Sequence, residues 1–287
     1  MKLIRIMPHK FAIAFGRFAG RILRLILWKK VDRCESRCVK SLGLGVTLSR
    51  EIIRDSFVNL GMSAAEFIRL PEVISRINEI VDFPEESINV LRSALSRGNG
   101  AILMCQHFAN WEYAAARVIH EGFKLHAVYT PQRDKSAESI IMSTRQEVSH
   151  MAMIDSNTGL REIFRVLKAG EVLVIMQDLD SRKDGVDSEF LGLPARTHDG
   201  IVKLYRKFHC PIIHGTYWRD DDDPSRHHIL LPGILSDMED SNGLPFGADM
   251  AGSIRLCNEH IENVIKQRPG QWLWILDRWE YTLRKKI

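Results

Sequence analysis

The sequence predicts an α/β fold: a mixed, largely parallel sheet flanked by helices, with an amphipathic helix and a helical region ahead of it. Three observations point there. From Gly100 onward, short apolar runs alternate with helical patterns, as in a sheet covered on both faces. The run Ala101–Gln106 reads as a buried strand, and Glu171–Met176 as a second. Before Gly100 the stretches near 10–30 and 49–69 read as helices. With 287 residues the chain can bury a sizeable core. One large domain is the simplest reading, with a helical N-terminal region over 1–48 and the main domain over 49–287.

The first element is a helix near residues 10–30. At about 100° per residue, Lys10, Arg17, Arg21 and Arg24 fall on one narrow stripe. Phe11, Phe15, Phe18, Ile22 and Leu25 form an adjoining apolar face. Three arginines make a spanning helix costly. A helix lying in the headgroup layer fits better, with arginines reaching lipid phosphates; the competing reading is a core-packed helix with a solvated basic edge. Gly16-x3-Gly20 permits close helix packing. No secretory cleavage site is evident.

A second helix spans about 49–69, with Phe57, Leu60, Met62 and Phe67 on apolar positions. Strands follow near 101–106, 125–129, 171–176, 211–217 and 227–231. Helices lie near 111–121, 136–149, 158–168, 198–208 and 249–267. Gly170 reads as a helix cap before the strand at 171. Asp220–Pro224 separates two strand-like runs as an exposed hairpin loop.

Composition narrows the function classes. Hydrophobic residues make 45% of the chain and charged residues 26%, ordinary for a globular protein. The net charge is +4, but residues 1–40 carry eleven Lys/Arg against two Asp/Glu, leaving the remainder acidic. The basic N-terminus calls for an anionic partner. Its basic positions are interleaved with long apolar runs, and no nucleic-acid motif is present. Five cysteines, two of them in strand-like runs, argue against a disulfide framework. Cys34-x3-Cys38 has no second pair at zinc spacing, so no metal is implied.

The segment His107-Phe108-Ala109-Asn110-Trp111-Glu112 carries the chemistry. His107 falls where a strand ends, and Asn110 is placed to cap the helix that starts at Trp111. Ligands of open α/β sheets bind at such strand ends. An imidazole and a carboxylate separated by four residues across this turn can meet, which suits His107 to take a proton from a hydroxyl, with Glu112 orienting it. No Gly-x-Ser-x-Gly elbow is present, so no acyl-serine intermediate is expected.

These residues resemble the lipid A biosynthesis acyltransferases, the late lauroyl/myristoyl-type enzymes within the glycerolipid acyltransferase superfamily. The likeness runs in order along the chain: the His-x4-Glu segment, Gln177-Asp178, Phe190–Thr197, Cys210–Ile213 leading to Arg219, Arg268–Trp274 and Arg278-Trp279. It implies that residues 49–287 form the acyltransferase domain, that the donor is a thioester of acyl carrier protein, and that the acceptor is a lipid A precursor glycolipid. It implies a peripheral or monotopic protein on the cytoplasmic face of a bacterial inner membrane, held by anionic lipids, with no cofactor. Arg145 stands where the family carries an arginine, suited to an acceptor phosphate or an oxyanion; the competing reading is a surface helix charge. Asp178, Arg182, Lys183, Arg196 and Arg219 are further substrate-contact candidates. Trp272, Trp274 and Trp279 read as core or interfacial anchors. Leu179-Asp180 replaces an aromatic position of the family, which leaves acceptor and chain length open. Acylation of another glycolipid or a lysophospholipid is the nearby alternative. A non-catalytic lipid-binding protein is the alternative of a different class, and retention of His107 and Glu112 argues against it.

Overall fold

The structure, a computed structural model, describes residues 2–131, 135–182 and 185–284. Helices α1 (Lys2–Ile6), α2 (His9–Ile26), α3 (Trp28–Leu42) and α4 (Val46–Val73) open the chain, followed by α5 (Ile77–Ile80), β1 (Val81–Asp82) and α6 (Glu85–Leu95). The alternating part follows: β2 (Ala101–Cys105), α7 (Trp111–His120), β3 (Leu125–Tyr129), α8 (Lys135–Ser143), β4 (Ala152–Asp155), α9 (Leu160–Lys168) and β5 (Val172–Met176). A hairpin, β6 (Gly185–Phe190) and β7 (Leu193–His198), leads to α10 (Gly200–Phe208). The chain closes with β8 (Ile212–His214), β9 (Thr216–Arg219), β10 (His227–Leu230), α11 (Met250–Gln267) and α12 (Glu280–Arg284).

Five strands form a parallel sheet in the order β4-β3-β5-β2-β8. The expected α/β class is what the chain adopts. Connections from β2 through β4 step one way across this sheet, and those from β4 through β8 step back. Right-handed crossovers then put α7 and α8 on one face and α9 and α10 on the other. His126 agrees: on β3 it pairs with Glu171 at 2.8 Å, and Arg165 of α9 approaches the same carboxylate. The neighbours β2 and β5 therefore send their chains to opposite faces, which opens a crevice at their carboxyl ends.

Strands β1, β4 and the β6–β7 hairpin escaped the sequence reading, as did helix α6. Strand β4 rests on the brief apolar run Met151–Ile154, too short to stand out from the helical pattern before it, and β6–β7 is studded with polar residues. The stretch expected as one strand over 211–217 is broken at Gly215. There the chain leaves the parallel sheet, where Ile213 pairs with Leu103, and joins β10 and β1 in a three-stranded sheet. The Asp220–Pro224 loop does join antiparallel strands, β9 and β10. Gly170 has φ 72°, the left-handed conformation a helix cap requires.

Helix α2 uses three faces, not two. Ala12, Ile13, Gly16 and Gly20 are buried against α4. A Cβ on Gly16 would sit 2.6 Å from the Gly61 carbonyl oxygen, and one on Gly20 or Gly61 would overlap the facing backbone. The glycines thus bring two helices into backbone contact. The aromatic stripe is left outside: Phe11 is 67% exposed and Leu25 66%. No helix among the described residues is long and apolar enough to cross a membrane.

Candidate active site

Register brings the site together. Cys105 pairs with Met176, so two residues further on His107 and Asp178 emerge side by side at the crevice. The His107 amide donates to Asp178 Oδ2 at 2.8 Å, and His107 Nδ1 lies 2.9 Å from Asp178 Oδ1. Trp272 Nε1 donates to the same carboxylate at 2.9 Å. Asp178 is buried. Burial alone pushes its carboxyl up, but the charge and hydrogen bonds of His107, with the Trp272 donor, together hold it below the usual range. An ionised carboxylate only accepts, so Nδ1 carries the proton and Nε2 is left as the basic nitrogen.

The loop that carries His107 is clamped on both sides. Ala109 has φ 44°, a strained value for a residue with a side chain. Its amide donates to the Gln271 carbonyl at 2.8 Å, and its carbonyl accepts from Ser63 Oγ at 2.9 Å and from Asn59. The Leu273 amide donates to the His107 carbonyl at 3.0 Å. Asn110 caps α7, its side-chain oxygen accepting from the Tyr113 amide at 3.0 Å, and donates to Glu66 at 2.8 Å.

Glu112 does not orient His107. Its carboxylate accepts from Arg145 Nε at 3.1 Å and Nη2 at 2.5 Å, and from Trp111 Nε1 at 2.9 Å. Between Glu112 and His107 stands the Trp111 indole, edge-on to the imidazole at 5.3 Å. Position in sequence showed that the carboxylate is near; the first turn of α7 rotates it toward α8 instead. Arg145 lies in a π-helical turn, Thr144–Val148, a distortion common at functional sites. Its Nη1 has no hydrogen-bond partner among the described residues, and Arg145 lines the same cavity as His107 and Glu112.

That cavity has a volume of about 710 Å³ and a mainly apolar wall. Leu103, Ala114, Val118 and Val174 face it. Cys105 is also on the wall, but burial and the Asp178 charge push its thiol up to about 12, so it stays neutral. No cluster that would hold a metal ion occurs among the described residues.

The other expected contacts divide. Asp178, expected to touch substrate, is bonded to His107. Arg219 is a correction: it is buried and saturated by protein partners. It donates to Glu66 at 2.8 and 2.6 Å, to Asn59 at 3.0 Å and to Ser63 at 3.2 Å, and cannot meet a phosphate. Arg196 reaches back across its hairpin to Asp187 at 3.0 Å and the Gly185 carbonyl at 2.8 Å. Arg182 is exposed on a turn. Neither lines the cavity. Lys183 lies outside the described residues. Sequence reasoning missed Glu66; it read Trp272 as an anchor, which its burial bears out, but not as a donor to Asp178. Glu66 had a signal, since it falls four residues after Met62 on the apolar face of α4.

Residues 1–281 match the family described as bacterial lipid A biosynthesis acyltransferase. The chain belongs to this family. A lipid A biosynthesis acyltransferase of Haemophilus influenzae is 23% identical over 189 residues, 65% of this chain and 55% of the relative. A phosphatidylinositol mannoside acyltransferase of Mycobacterium tuberculosis is 25% identical over 154 residues, 52% of this chain and 48% of the relative. The chain spans about half the length of these curated relatives. In this lipid A biosynthesis acyltransferase family member, the His-x4-Glu segment builds two pairs, His107–Asp178 and Glu112–Arg145, of which His107, Glu112 and Arg145 line the cavity.

Proposed function

We propose that the protein transfers a fatty acyl group from a thioester to a hydroxyl of an anionic glycolipid at a membrane surface. The observation that supports this most is the His107–Asp178 pair at the mouth of a large apolar cavity. The acceptor oxygen attacks the thioester carbon as its proton passes to His107 Nε2. Asp178 holds the ring tautomer and offsets the imidazolium charge. Arg145, steadied by Glu112, offers Nη1 to the oxyanion or to an acceptor phosphate. As the C–S bond breaks, the imidazolium returns the proton to the thiolate. No cofactor enters.

The donor in this reading is acyl carrier protein and the acceptor a lipid A precursor, the latter supported by the family match. A mannosylated phosphoinositide is the second reading, favoured by the mycobacterial relative. The apolar stripe of α2, flanked by Arg17 and Arg21, supports peripheral attachment to anionic lipid; the cytoplasmic face of an inner membrane is part of the reading proposed. Mass spectrometry of lipids after incubation with acyl thioesters tests the proposal. A product heavier by one acyl group supports it and names the acceptor. Thioester hydrolysis without any acylated lipid would refute it.

A further inference from the structure

The cavity reaches both faces of the parallel sheet. Register and alternation put Leu103, Ala127 and Val174 on one face, and Val128 and Ile175 on the other. All five line the cavity, together with Ala114 and Ala115 of α7, and with Ile163, Phe164 and Leu204 of α9 and α10. A solid sheet lies between these groups, so the space is two arms that join over the strand ends beside Gln177. This is the geometry expected of a switch-point crevice.

We propose that the two arms hold two different chains: the arm under α7 takes the acyl chain of the donor, and the arm between α9 and α10 takes a hydrocarbon chain of the acceptor, whose anionic headgroup meets Lys203 and Lys207. This rests on the acyl-transfer reading above. A donor chain is apolar from the reacting carbon onward, so it must run straight from His107 into an apolar space. The arm under α7 provides this, because the His107 ring packs on Trp111 of α7.

The second arm has another character. Polar groups of Gln177, His198 and Asp199 line the path to it. Its rim carries two ammonium groups. Lys203 is 64% exposed and pairs with Asp199 at 2.8 Å. Lys207 stands 4.1 Å over the Phe164 ring, and no carboxylate among the described residues pairs with it. Leu160, 59% exposed, adds apolar surface at the same rim. An apolar slot edged by cations suits an amphiphile with an anionic head. A bare hydrocarbon would leave Lys207 without an anionic partner, and a polar thioester arm would find few partners along Val128, Ile163 and Leu204.

The test uses the full chain in mixed micelles with three variants. Ala115→Leu narrows the first arm, Val128→Phe fills the second, and Lys207→Glu reverses its rim. Ala115→Leu is expected to shift donor preference to shorter chains. Val128→Phe and Lys207→Glu are expected to raise the acceptor KM about tenfold, the effect of losing one good contact, without moving the donor chain-length profile. A donor-profile shift in Val128→Phe, or an unmoved acceptor KM in both, would overturn the assignment. Calorimetric binding of dodecyl phosphate below its micelle concentration needs no turnover. Weakened binding in both second-arm variants supports the slot even if no acyl transfer is found, whereas binding equal to wild type in both would sink it. Lys207 is exposed, so its variant does not depend on the core refolding.

Discussion

At the residue scale the central object is a hydrogen bond between adjacent strand ends. Asp178→Asn keeps the shape but removes the acceptor that fixes the tautomer of His107. The rate should fall on the order of 10³–10⁴, the scale of tautomer loss in related triads, with little change in acceptor binding; steady-state kinetics on the folded variant checks this. Glu112 acts through Arg145. Glu112→Ala and Arg145→Ala should therefore each slow transfer, and the double variant should lose little more than the worse single one. Fully additive losses would show that Glu112 works independently of Arg145. His107 was legible because an apolar run followed by histidine marks a strand end. Its partner was not: spacing along the chain suggests Glu112, while the Cys105–Met176 register that selects Asp178 is a contact between distant segments.

At the element scale α2 shows what periodicity can and cannot tell. Its basic stripe and its aromatic stripe were readable from the turn angle. The third side was noted only as a glycine pair, yet it decides the arrangement. Side chains would separate α2 from α4, and the exposed stripe would no longer face outward. Gly20→Leu should therefore loosen the N-terminal helices, detected as faster proteolytic clipping between α2 and α4 while the sheet core persists. Wild-type protection would contradict the close packing. Reversing Arg17 and Arg21 to Glu should weaken binding to anionic vesicles, most at low salt, because the Debye length is about 10 Å at 0.1 M. Vesicle binding insensitive to both charge and salt would leave only the apolar stripe as anchor.

At the scale of the whole molecule, a buried ion pair ties the N-terminal helices to the sheet. Burial pushes the Glu66 carboxyl up, but Arg219, with His227 beside it, more than reverses this and holds it below its usual value. Burial lowers His227 itself, so at neutral pH Arg219 supplies the counter-charge. Removing one partner leaves the other buried and unpaired, and Glu66→Gln should cost about 3–5 kcal/mol of stability, measured by denaturant unfolding. Glu66 and Asp178 both sit below their ordinary values when folded. Their contributions are complete above the usual carboxylate range and are lost as pH falls below 4.5 for Glu66 and below 3.8 for Asp178, so stability should drop in acid, and less steeply in Glu66→Gln. The parallel sheet, its helices and the family were legible because buried strands and ordered motifs survive as local patterns. The Glu66–Arg219 pair was not, since it joins residues 153 positions apart, and Arg219 read alone looks like a surface cation waiting for phosphate. The claim that His107 is the base is tested most directly by His107→Ala. Acyl transfer to glycolipid, followed by mass spectrometry, should fall about 10²–10⁴-fold while the unfolding midpoint and vesicle binding stay near those of the unaltered chain; turnover within a few-fold of the unaltered chain in that folded variant would contradict it.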